Sequence, residues 1–159
     1  MLDVMDFVEG RVVEDFWNSL TETERVEIVI QTASILNTLQ SAPVPQDPGP
    51  VGCKICLAQG FWFSSMGGRP FNLKKDLEDC TLPQFRIDKL VLTYQDIAPR
   101  NLILGPDDKV WLVDWGYAGR YSEGSDAASL SVRRYSAPLF TDMFLKMNPK
   151  HVGLTEQLK

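Results

Sequence analysis

Apolar residues recur at helical spacing in one long stretch of the chain. Val26, Ile30, Ala33, Leu36 and Leu39 fall on one helical face. The preceding Thr21-Glu22-Thr23-Glu24 has the form of a capping box, with Thr21 as N-cap and Glu24 reaching back. The pattern predicts a helix of about four to five turns that ends before Pro43. This stripe reads as core, with no catalytic role. Upstream, residues 2–8 are apolar, include β-branched and aromatic side chains, and run into Gly10. They predict a short strand followed by a turn, and a strand so apolar needs sheet partners.

Residues 41–52, SAPVPQDPGPVG, are dense in Pro and Gly and predict an irregular loop. Irregular chain continues to residue 72, with Phe61, Trp62 and Phe63 as a buried anchor and Gly67-Gly68 as a turn. Residues 73–80 predict a short helix. Three short apolar runs follow, at residues 90–93, 101–104 and 110–113. Gly105-Pro106-Asp107-Asp108 lies between the last two and supplies turn chemistry, Pro being preset for the first corner. Residues 101–113 therefore predict a tight β-hairpin. Residues 126–147 predict helix broken near Pro138, and the polar tail past Asn148 is expected to fray. No internal repeat or low-complexity tract is found.

Composition narrows the function. The chain has 159 residues, 44% of them hydrophobic and 23% charged, which suits one soluble globular domain. Its formal charge of -5 argues against a nucleic-acid binder, whose affinity rests on basic residues neutralising phosphate. No run approaches the roughly 20 apolar residues of a membrane span. The N-terminal MLDVMDFVEG lacks a basic region and a long apolar stretch, so no signal peptide is expected. Three cysteines, Cys53, Cys56 and Cys80, are an odd count that argues against a disulfide framework. A reducing, cytoplasmic setting is expected.

The chemistry is concentrated in LVLTYQDIAPRNLILGPDDKVWLVDWGYAGRY, residues 90–121. Asp96 precedes the hairpin, Asn101 opens its first strand and Asp114 closes its second. In an antiparallel pair, the start of one strand lies beside the end of the other. Asn101 and Asp114 are thus expected at one edge, with Asp96 a short loop away. Two carboxylates and a carboxamide oxygen would converge there, and hard cations such as Mg2+ take oxygen ligands of this kind. Phosphoryl transfer needs that metal and a carboxylate to orient the attacking hydroxyl.

Asp96, then Asn101 after four intervening residues, then Asp114-Trp115-Gly116, has the order of a kinase catalytic signature. The wording DIAPRN followed by WLVDWGYAG is similar to the aminoglycoside phosphotransferase and choline kinase branch, and especially to its fungal phosphotransferase-domain proteins. MDFVEGRVVEDFW resembles that family's interlobe hinge and first large-lobe helix; PGPVG and GGRPF also have its flavour. The resemblance covers roughly residues 1–121. It implies an α+β, mainly helical fold, a protein kinase-like C-terminal lobe with a small β-hairpin at its active edge. Residues 1–10 would be the hinge strand, 11–147 the lobe and 148–159 the tail. It implies ATP and Mg2+ as cofactors and a small-molecule hydroxyl as acceptor. Asp96 would be the catalytic base or hydroxyl-orienting group, and Asn101 and Asp114 the Mg2+ ligands. The backbone at Asp6, Phe7 and Val8 would meet adenine, and Ile103 and Val113 would floor the purine. Arg100 would brace the catalytic loop.

Two departures stand out. The family usually has His two residues before the catalytic Asp; here that residue is Tyr94, which can also pack and donate one hydrogen bond. No G-x-G-x-x-G or G-x4-G-K-[ST] occurs in the sequence. The phosphate-gripping N-terminal lobe is therefore expected to be absent and transfer by the chain alone to be poor. The competing reading is a pseudokinase remnant or an interaction module. Cys53-x-x-Cys56 lacks a second close pair for structural zinc and reads as two loop cysteines. His151 is the only histidine and has no nucleophile context for a triad. Arg133-Arg134 reads as a solvated helix face. Trp111 and Trp115 are expected to pack in the core.

Overall fold

The computed structural model describes residues 6–51, 89–132 and 137–148. The anchor at Phe61, Trp62 and Phe63, the turn at Gly67-Gly68, the helix at 73–80, the cysteines, Arg133-Arg134 and His151 lie outside the described residues, as does most of the tail.

Strand β1 (Arg11–Val12) runs into a one-turn helix, α1 (Val13–Phe16), and a 3-10 turn over Trp17–Ser19. The long helix α2 spans Glu22–Ser41 and begins with the expected capping box: Thr21 accepts from the Glu24 amide, and Glu24 accepts from the Thr21 amide. Strand β2 is Gly49–Pro50 and β3 is Leu90–Thr93. A 3-10 turn over Pro99–Asn101 leads into β4 (Leu102–Leu104), which pairs with β5 (Val110–Leu112). Strand β6 (Gly119–Ser122) and helices α3 (Ser125–Val132) and α4 (Pro138–Met147) follow. The result is α+β, with helices packed on two three-stranded antiparallel sheets of order β1-β4-β5 and β2-β6-β3.

The hairpin turn forms as its residues dictate. The Asp108 amide donates to the Gly105 carbonyl, and the Gly105 amide to the Lys109 carbonyl. The break at Pro138 is also present, with Pro opening α4 where its missing N–H costs nothing.

Several expectations need correction. Of the expected strand over residues 2–8, residues 6–8 are described and irregular; a two-residue strand pairs past the glycine, at Arg11–Val12, where Leu104 and Ile103 offer backbone partners. Gly10 has φ +153, and a Cβ there would meet the Leu104 carbonyl oxygen at 2.4 Å. The chain must therefore cross β4 in a conformation only glycine adopts easily before pairing can begin. The Pro/Gly loop contains β2, which pairs with β6, so it is less irregular than its composition implies.

The buried face of α2 is also rotated from the apolar stripe. Ile28, Val29, Thr32, Leu36 and Gln40 are buried, whereas Ile30 is 46% exposed. Two polar residues take core positions because each has a partner: Thr32 donates to the Ile28 carbonyl, and Gln40 reaches Asp126 on α3. Trp111 and Trp115 are not core residues, being 50% and 43% exposed. Trp111 projects from the solvent side of β5, and Trp115 sits in the turn after it.

One hydrophobic cluster joins these elements. Val13, Phe16 and Trp17 meet Ile28, Val29 and Leu36 of α2, with Tyr94, Leu102, Phe140 and Phe144 completing it. Trp17 and Phe140 meet edge to face at 5.3 Å. The β4–β5 hairpin is also tied to α2 by Gln31, which accepts from the Val110 amide at 2.9 Å and donates to the Asp108 carbonyl at 3.0 Å. The core thus fixes α1, α2 and the hairpin around the segment that carries Asp96.

Candidate active site

The segment from Tyr94 to Asn101 is a buried loop between two pieces of sheet, so its backbone groups need partners. Asp126 at the start of α3 supplies them. One carboxylate oxygen accepts from the amides of Tyr94 (2.9 Å) and Gln95 (2.7 Å), and the other from Gln40 Nε2 (3.0 Å). Burial pushes the Asp126 carboxyl above the usual range, and the hydrogen bonds from Gln95, Gln40 and Tyr94 pull it back. These three contacts are all donors, which suits a carboxylate.

The loop bends sharply here. Gln95 has φ +66, a left-handed conformation uncommon for a residue with a Cβ. It is held by its own amide bond to Asp126 and by Nε2 donating to the Tyr117 carbonyl at 3.1 Å. The bend turns Asp96 into the protein, where it is almost fully buried.

Both Asp96 carboxylate oxygens accept hydrogen bonds. Arg100 Nη2 lies 2.5 Å from Oδ1, and Asn101 Nδ2 lies 3.0 Å from Oδ2. The same side-chain nitrogen also donates to the Asp96 carbonyl at 2.9 Å. Asn101 is therefore oriented with its nitrogen toward Asp96, leaving its carbonyl oxygen for another ligand. Arg100 is an expected brace, and its contact to Asp96 is direct.

Asn101 is the last residue of the 3-10 turn rather than the first of β4, and Asp114 lies two residues beyond the end of β5. The cross-strand relation still holds: the Val113 amide donates to the Asn101 carbonyl at 3.0 Å, one residue before Asp114. Asp114 adopts φ +61 and is exposed, and its Oδ1 accepts weakly from the Gly116 amide at 3.4 Å. Asp96 and Asn101 are thus in direct contact, and Asp114 joins them through the backbone of the hairpin.

Tyr94 links the two halves. Its hydroxyl donates to the Val113 carbonyl, and its ring meets Trp115 edge-on at 5.3 Å. Burial pushes the phenol well above its usual range, and the charges of Asp96 and Asp114 add to that push, while Asn101 opposes it. The hydroxyl therefore stays protonated and remains a donor at neutral pH. Tyr94 thus fills the position where histidine is usual by making the one hydrogen bond expected of it.

The remaining candidate site residues lie in the irregular chain before β1 and on the hairpin. Ile103 is partly buried on β4, with its Cγ2 atom against Gly10, and Val113 is partly buried just after β5. Asp6 is exposed, Val8 is half-buried, and Phe7 is 91% exposed. A cavity of about 230 Å3 abuts the 94–101 loop at Pro99 and is lined also by Glu14, Trp17, Asn18, Ala137, Pro138 and Leu139.

Gln40, Gln95 and Asp126 were not legible as site-supporting residues. The only hint was polar residues inside otherwise apolar periodic segments.

A buried carboxylate held beside a carboxamide, one hydrogen bond from a turn bearing a second carboxylate, is the kind of arrangement a phosphotransferase uses. The chain belongs to the phosphotransferase enzyme family, whose APH model matches residues 2–147. No individual curated protein and no solved structure matches it.

Proposed function

We propose that this chain carries the catalytic and metal-holding segment of an ATP- and Mg2+-dependent phosphotransferase that acts on a hydroxyl of a small molecule. It corresponds to the mainly helical large lobe of a kinase-like fold. The supporting observation is the direct bond between Asp96 and Asn101, with Asn101 paired in turn to the strand end that carries Asp114.

In this reading Asp96 accepts the hydrogen bond of the attacking hydroxyl and orients it. The acceptor lies on the side of the cavity at Pro99, three residues after Asp96. Asn101 Oδ1 and the Asp114 carboxylate hold Mg2+. The donor set fits a hard cation, being all oxygen and having the Asn101 carbonyl turned away from Asp96. Among the described residues no three His, Cys, Asp or Glu are grouped to hold a metal, so waters and nucleotide phosphates would complete the shell. When bound, Mg2+ neutralises charge on the polyphosphate. Ile103 and Val113 would lie under the purine of a bound nucleotide, and the backbone of Asp6, Phe7 and Val8 would meet its edge. The setting is cytoplasmic; among the described residues no helix is long and apolar enough to cross a membrane.

The sequence holds no Gly-rich phosphate loop. Loss of one preorganised donor to a transition state costs on the order of 10²–10³ in rate, so transfer by this chain alone is slow. The test is the melting shift with millimolar ATP and Mg2+, compared with Asp114→Ala. A ligand that binds only the folded state raises stability. A shift that needs metal and vanishes in the variant supports the reading; no shift in the wild type ends it. Binding without any phosphate release or transfer would instead favour the non-catalytic, pseudokinase alternative.

A further inference from the structure

Asp96 and Asp114 both carry charge near the same tyrosine hydroxyl, yet the proposed chemistry needs them to do different things. A divalent cation prefers more carboxylates to fewer, because ligand charge sets much of its affinity. Something must keep Asp96 for the acceptor hydroxyl rather than the metal.

We propose that Arg100 is the residue that does so: its guanidinium occupies Asp96 and keeps that carboxylate out of the metal shell. This inference rests on the proposed function and adds a positioning residue to it.

The geometry supports the assignment. Arg100 Nη2 sits on Oδ1 at 2.5 Å, while Asn101 Nδ2 occupies Oδ2 at 3.0 Å. A cation approaching Asp96 would meet an existing donor at either oxygen, and at Oδ1 that donor is itself a cation. Arg100 is held close to its target: it lies four residues after Asp96, in the rigid 3-10 turn opened by Pro99. Asp96 is nearly buried and Arg100 is only 33% exposed, so solvent screens the pair weakly. The hydroxyl of an acceptor, unlike a cation, is not repelled by the guanidinium and can share Oδ1, since a carboxylate oxygen has two lone pairs. Among the described residues no cation pairs with Asp114, whose Oδ1 accepts from the Gly116 amide at 3.4 Å.

The test uses the full chain with Mn2+ as a paramagnetic probe, its binding read by the loss of free-ion EPR signal. Removing a unit charge about 6 Å from a divalent ion strengthens binding by roughly tenfold at water-like screening, and by more where screening is weaker. Arg100→Gln is therefore expected to bind Mn2+ at least about tenfold more tightly than wild type, and Arg100→Lys, which keeps the cation, to stay close to it. The gain must come through Asp96, so Asp96→Asn should weaken binding far more in the Arg100→Gln background than in the otherwise wild-type chain. Circular dichroism confirms that each variant is folded, and Arg100→Met repeats the test should Arg100→Gln not fold.

Binding that depends on Asp114 but is not tightened by Arg100→Gln overturns this inference and leaves the proposed function standing. A gain that survives Asp96→Asn overturns it as well, since the metal would then be answering to net charge alone. Binding absent from the wild type and from both neutral Arg100 variants overturns both readings together.

Discussion

Replacing Asp126 by alanine removes the acceptor for three buried donors at once: the amides of Tyr94 and Gln95, and Gln40 Nε2. Leaving one buried donor unpaired costs about 1–3 kcal/mol. The three losses do not simply add, because water can enter the space left and Gln40 can turn away. We expect Asp126→Ala to cost about 3–5 kcal/mol, similar to breaking a buried charged network. That is a large share of the roughly 5–15 kcal/mol by which a domain is stable. Asparagine should behave differently. Its oxygen can still accept from both backbone amides, and its NH2 then faces Gln40. The Gln40 Oε1 atom is buried without a hydrogen-bond partner among the described residues, so the amide can flip and accept. Asp126→Asn should therefore cost about 1 kcal/mol, in line with one exchanged hydrogen bond. Urea unfolding at neutral pH reads both values from the midpoint, with an unchanged slope showing that compactness is preserved. Hydrogen exchange adds a local check, since the Tyr94 and Gln95 amides should lose protection in the alanine variant. An alanine variant within about 1 kcal/mol of wild type, or an asparagine variant as damaged as alanine, would refute the bracing role.

Other consequences are open to measurement. Burial raises the Asp126 carboxyl in the folded state, so its stabilising contribution is fully present below the ordinary Asp range and is lost as pH rises through the folded value. Wild type should gain on Asp126→Asn at pH 4 relative to pH 7.5, and a difference moving the other way in urea unfolding would show that the three hydrogen bonds outweigh burial. Tyr94→Phe removes the bond to the Val113 carbonyl and should cost about 1 kcal/mol, with a clear loss of Asp114-dependent Mn2+ binding; unchanged metal affinity would dissociate Tyr94 from the Asp114 turn. Gly10→Ala forces a Cβ to 2.4 Å from the Leu104 carbonyl oxygen at φ +153, and should cost about 1–3 kcal/mol or more in a melting experiment. A silent Gly10→Ala would mean that the residues before β1 do not cross β4 as described.

The sequence was most informative where local rules act alone. The capping box at Thr21, the turn after Leu104 and the break at Pro138 each depend on a few neighbouring residues, and each is present in the structure. The spacing from Asp96 to Asn101 also translates directly, because a loop of four intervening residues with a 3-10 turn can bring the two side chains together. What was hidden depends on distant partners. The buried face of α2 could not be phased from apolar residues because Gln40 faces Asp126, a contact 86 positions away in sequence. Strand β6 is four residues long, and its pairing with β2 and β3 is set by tertiary geometry rather than by a period of two. Trp111 and Trp115 look like core by composition, yet a strand at the sheet edge and the turn beyond it leave them partly in water. The pairing at Arg11–Val12 was not foreseen, because an apolar run says nothing about where a partner backbone becomes available.

The contact between Gln31 and the hairpin has a further effect on solution behaviour. Strand β5 ends its sheet, so its outward amide and carbonyl groups could template pairing with another chain. The Gln31 side chain copies a short piece of neighbouring strand there, engaging the Val110 N–H and the Asp108 carbonyl from the side of α2. The Val110 N–H is thus satisfied within the molecule and is closed to an incoming strand, even though Trp111 beside it offers an apolar foothold. A single helical side chain thereby occupies part of the edge that the β4–β5 hairpin would otherwise present.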